Sequence, residues 1–123
     1  MLTRPLAILI ALPLAWGCAK SWPEPKQPLA EAESASRSAR ELGADDQPAA
    51  KLRASLADEQ ILAAKAAIAD GDNERATYLL VRARADAELA LALAHEQNAL
   101  NDKQKAVEQA TVTSQAVKAG AKP

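Results

Sequence analysis

From residue 29 onward, apolar positions recur at intervals of four and three, the period of a helix that buries one face. The longest clean run is Ala76, Leu80, Ala83, Ala87, Ala90 and Ala94. Ala50, Ala54, Ala57, Ile61, Ala64 and Ile68 repeat that spacing one segment earlier, and Ala32, Ala35, Ala39 and Leu42 give a shorter version before both. No stretch alternates apolar and polar residues as a half-buried strand does. The pattern predicts an all-α fold: an antiparallel, alanine-seamed hairpin of two long helices, with a shorter helix ahead of it.

The breaks between segments carry their own signals. Gly43 is a natural helix terminator, and Asp45, Asp46 and Pro48 are the acids and proline of a helix start. In ADGDNERA, residues 69–76, Gly71 ends one helix and Asp72 caps the next, so the chain reverses within about two residues. A second stripe on the middle segment, Leu52, Leu56, Ala63 and Ala66 or Ala67, predicts contact with a second neighbour. Lys51, Ser55, Asp58 and Lys65 are left to meet water. Glu33 with Arg37, Arg82 with Asp86 and Arg84 with Glu88 stand four apart, the spacing of ion pairs on a solvated helix face.

Beyond Ala94 the seam fails, because Asn98, Asn101 and Lys105 stand where apolar residues should be. Val107, Val112 and Val117 are too sparse to pack alone, so residues 96–123 read as a fraying helix passing into a disordered, polar tail. The hairpin domain is then 29–95.

Composition sharpens this picture. The chain has no Phe, one Tyr and two Trp. Alanine buries little area, so stability must come from helix propensity and close backbone approach. The amino end differs in kind. Residues 1–17 have one basic side chain, Arg4, an apolar run PLAILIALPLAW and the small residue Gly17 before Cys18. That is the layout of a secretory signal peptide, and the run is too short for the ~20 residues of a membrane-spanning helix. Gly17-Cys18 resembles the bacterial lipobox, whose cysteine takes a diacylglycerol and becomes the first residue after cleavage. The resemblance implies lipidation at Cys18, and Ala19 after it resembles the pattern sorted to the outer membrane. With one Cys in the chain, no internal disulfide forms. Pro23, Pro25 and Pro28 then predict an extended tether over 18–28, reaching roughly 30 Å, with Trp22 able to sit at the lipid headgroups.

Charge and side-chain inventory exclude several classes. Removing Arg4 with the leader reduces the basic residues from 15 to 14 against 16 acids, so no basic field for nucleic acid exists. His95 is the one histidine, so neither a zinc site nor a histidine-assisted nucleophile is legible, and no cofactor motif is present. Ser34, Ser36 and Ser38 have no base beside them in sequence. The chain reads as a non-enzyme.

Gly71, Asp72, Glu74, Arg75 and Ala76, followed by Asp86, Ala87, Glu88, Leu89 and Ala90, resemble domain-of-unknown-function family 4398 across residues 29 to about 95. That family consists of bacterial envelope lipoproteins with a helical hairpin. The resemblance implies an outer-membrane lipoprotein facing the periplasm, anchored through lipid on Cys18, with a structural or partner-binding role. Its partner would be another protein or a second copy, met through the helical seams. An alternative is an accessory or chaperone-like binder, since a helix pair around a Gly-Asp turn also resembles a tetratricopeptide unit. Small acylated helical lipoproteins can join peptidoglycan through a final lysine; here Pro123 follows Lys122, so no covalent link is expected.

Overall fold

A computed structural model describes residues 21–120. Within them the chain is all-helical: α1 (Lys26–Glu41), a 3₁₀ turn at Ala44–Asp46, α2 (Pro48–Ala69) and α3 (Asn73–Gly120). The α1, α2 and first half of α3 form a three-helix bundle in which α1 and α3 run parallel and α2 runs against both. The leader at 1–17 and the Cys18 lipidation site lie outside the described residues.

The α2–α3 reversal follows from a few backbone groups. Gly71 takes φ +78°, a left-handed conformation that only glycine adopts without strain. Its N–H bonds to the Ile68 carbonyl at 3.0 Å, and the Asp72 N–H to that of Ala67 at 2.8 Å. This six-to-one closure satisfies carbonyls that the helix end would otherwise leave open. The Asp72 side chain then accepts the Arg75 N–H at 3.1 Å, so one residue closes α2 and opens α3. At the other corner Gly43, at φ +92°, ends α1. Pro48 occupies the first position of α2, and the capping side chain is Gln47, which accepts the Ala50 N–H.

The buried positions on α3 are Ala76, Leu80, Ala83, Ala87, Ala90 and Ala94, the whole predicted seam. On α2 they are Ala50, Ala54, Ala57, Ile61, Ala64 and Ala67; the last step falls on Ala67 rather than Ile68. On α1 the seam is Ala32, Ser36 and Ala39, with Ser36 in place of Ala35. A serine is tolerated there because its hydroxyl donates to Asp58 on α2. Ala32 meets Ile61, Ala64, Leu80 and Ala83 in one cluster; Ala39 meets Ala50, Ala54, Ala90 and Ala94 in a second. The two clusters align the three helices along their length.

Three expectations differ from the fold. The extended tether does not reach residue 28, because α1 begins at Lys26 and Pro28 falls in its first turn, where a missing N–H costs nothing. The second stripe of α2 is covered only in part: Leu56 is half-buried and Ala67 buried, and α2 meets α1 as well as α3, but Leu52, Ala63 and Ala66 are exposed, since α1 packs chiefly on α3. The third helix does not fray into a disordered tail within the described residues. It continues to Gly120 with residues 98–120 all exposed, so the described part of the predicted tail is ordered helix. Alanine, glutamine, lysine and glutamate there have high helix propensity without a seam, and Gln104 with Glu108 adds an i,i+4 bond.

Candidate functional site

The described part of the chain offers three places where function could reside: the foot of the bundle, the polar braces between its helices, and the outer face of α3.

At the foot, Trp22 packs on Tyr78 with ring centroids 6.0 Å apart, and the Trp22 carbonyl accepts from the Asn73 side chain at 3.1 Å. Pro25 is buried beside them in the chain. The segment just after Cys18 is thus fastened to the first turns of α3. Trp22 therefore has a protein partner, in place of the purely lipid or linker setting that its neighbourhood in sequence suggests. No local pattern reveals this, because the contact joins residues 51 and 56 positions apart.

Charged side chains brace the helices pairwise. Asp58 accepts from Ser36 and from Arg40, whose other guanidinium nitrogen reaches Asp45. The hydrogen bond to Asp58, then that to Asp45, raises the Arg40 pKa above the ordinary arginine value, so this cation stays charged at any working pH. Lys65 pairs with Glu33 at 2.6 Å, taking the acid that sequence spacing offered to Arg37. Arg84 joins Glu88, as its spacing predicts, and also Glu31 on α1. Those contacts, Glu88 first, raise its pKa too. Asp86 departs from the expected pairing with Arg82. It turns inward and accepts from Arg53 at 3.0 Å and from Gln60 at 2.8 Å, both on α2. The helix positions of Asp58 and Asp86 border the seam, so each reaches across it while still touching water. Asn98, which breaks the seam in sequence, donates to the Leu42 carbonyl at 3.0 Å and closes the end of α1.

These braces are fastenings. An open groove between α1 and α2 is lined by Arg37, Arg40, Asp58 and Lys65 among others, but its carboxylates are already engaged by cations of the same chain. Ser36, the buried serine, spends its hydroxyl on Asp58. His95 lies exposed on α3 next to Glu96. Among the described residues no group of three His, Cys, Asp or Glu side chains could hold a metal ion, and no helix is long and apolar enough to cross a membrane.

The outer face of α3, opposite its seam, is the third place. Tyr78, Val81, Leu89, Leu100, Val107 and Val117 are between 41% and 66% exposed. On a helix of 3.6 residues per turn they fall within an arc of about 100°, the width of a core-facing stripe. The repeat was legible in principle by following the 3.6 period on the face opposite the seam. Taking the valines of the tail by themselves, apart from Tyr78, Val81 and Leu89, conceals it.

Comparison of the chain with family models, with curated proteins and with solved structures gives no match.

Proposed function

We propose that this chain is a non-enzymatic lipoprotein of the bacterial envelope, anchored by lipid on Cys18 in the outer membrane, facing the periplasm, and serving as a rod-shaped scaffold. The observation that carries the reading is the foot. A tether of only a few residues separates Cys18 from Trp22, and Trp22 is fastened to Asn73 and Tyr78. An anchor at Cys18 would therefore hold one end of a 48-residue helix about 72 Å long. Membership of family 4398 is part of the same proposal and rests on the Gly71-Asp72 turn and the Asp86–Ala90 stretch. The slim bundle supports a role in spacing and docking, since the polar side chains at its helix interfaces, Ser36, Arg40, Asp58 and Asp86 among them, are spent on holding helices together.

The test is Cys18→Ser in a Gram-negative host, read by fatty-acid-analogue labelling and by membrane fractionation. The proposal expects the parent chain to label and to sediment with the outer membrane, and the variant to remain unlabelled and at precursor mass. Equal labelling of parent and variant would overturn it, as would a parent chain recovered wholly in the soluble fraction.

A further inference from the structure

Trp22 ties the start of the described chain to α3: its carbonyl accepts from Asn73 and its ring packs on Tyr78, both within the first two turns of that helix. Pro25 is buried three residues later, and its carbonyl accepts the Leu29 N–H at 3.0 Å in the first turn of α1. The segment is therefore held by two helices and has little slack. We infer, taking the proposed lipid attachment at Cys18 as given, that this end of the folded body rests on zwitterionic lipid head groups through Trp22 and Tyr78. It is a second membrane contact, made by the bundle itself beside the acyl anchor.

Chain length sets the reach. Four peptide steps lead from Cys18 to Trp22, and fully extended they span at most about 14 Å. The head-group layer on each side of a bilayer is about 5–7 Å deep. A Cys18 acylated into that layer keeps Trp22 within about 14 Å of it, and the 6.0 Å ring contact brings Tyr78 along. One aromatic pair binds lipid weakly by itself. A short tether raises its effective concentration at the surface to the order of millimolar, so a contact too weak to form from solution is occupied once the anchor is in place.

The chemistry of this end selects the kind of surface. Indole and phenol rings each combine an apolar body with one polar tip, the combination that settles at a membrane interface. Tyr78 is 58% exposed even with Trp22 against it. A shallow recess lined by Trp22, Pro23, Pro25, Pro28 and Thr77 among others opens beside the pair and adds apolar surface. Over 19–26 and 70–75, the two segments that meet here, three bases (Lys20, Lys26 and Arg75) stand against four acids. That near balance matches head groups carrying both an ammonium and a phosphate. It lacks the basic excess by which a protein selects an anionic surface.

The experiment uses the mature chain, residues 18–123, which contains every described residue, coupled through the Cys18 thiol to a maleimide lipid in vesicles of phosphatidylcholine and phosphatidylethanolamine. Trp22 is then the one tryptophan, since Trp16 belongs to the leader. Its fluorescence should be quenched more by lipids brominated near the head group than by lipids brominated near the chain ends. The decisive arm exchanges the two rings, Trp22→Tyr with Tyr78→Trp, which moves the reporter from the tether onto α3. The same shallow quenching should appear there. Adding Asn73→Asp to that pair removes the donor to the residue 22 carbonyl while leaving an acid that suits a helix start, and the quenching at residue 78 should fall. Unchanged far-UV circular dichroism confirms that the variants fold. Quenching confined to the reporter at residue 22, or a reporter at residue 78 indifferent to Asn73→Asp, would overturn the inference, as would stronger quenching on vesicles enriched in anionic phosphatidylglycerol. Because the coupling is chemical, the result does not depend on acylation in a cell: absent quenching at residue 78 beside successful labelling in vivo removes the contact of the bundle and leaves the anchor.

Discussion

The narrowness of the alanine seam can be tested by one substitution made twice on the same helix. Ala64 is fully buried in the cluster that joins Ala32, Ile61, Leu80 and Ala83, while Ala66, two residues on, is exposed. Leucine and alanine have similar helix propensity, so replacing either alanine by leucine changes little besides packing. At Ala64 three added carbons enter a site where all three helices meet, and the helices must move apart or the side chain must leave its preferred rotamer. Over-packing of this kind costs about 2 kcal/mol, within a range of roughly 1–3. Against a total stability of about 5–15 kcal/mol, that lowers the melting temperature by roughly 8–16 °C for a domain of this size. Ala66→Leu should stay within about 0.5 kcal/mol of the parent. The assay is thermal and urea unfolding followed by far-UV circular dichroism, at one fixed protein concentration because association would shift the midpoint. Equal stability of the two variants would refute the reasoning, since it would mean that the inner face of α2 is not held against its neighbours.

Other expectations follow from the turns. Gly71→Pro, which forces φ to about −65° and removes the N–H that bonds Ile68, should cost ~3 kcal/mol or more in the same unfolding assay, whereas Gly71→Ala should cost only about 1–2 kcal/mol, since nothing lies within 4 Å of the added carbon. Asp72→Ala should cost about 1 kcal/mol, with Asp72→Asn close to neutral because the amide oxygen can still accept the Arg75 N–H.

The linear chain by itself determined the helical class, the reversal at Gly71-Asp72 and the α3 seam from Ala76 to Ala94. These depend on interactions within a turn or two, where the 3.6-residue period, a left-handed glycine and an aspartate cap act locally. Only the tertiary structure decided which polar residue turns inward. Ser36 displaced Ala35 because Asp58 stands opposite it, Asp86 left Arg82 for Arg53 and Gln60, and Asn98 broke the seam to close α1 at Leu42. Each choice depends on what the neighbouring helix offers across the gap, and helical spacing along one segment carries no record of that. The same holds for Trp22 on Tyr78, and for the outer stripe of α3, whose apolar residues count as a surface only once α1 and α2 have packed against the other side. Burial is a property of the assembled helices, and it converts equal-looking alanine and leucine positions into a core on one face and an open strip on the other.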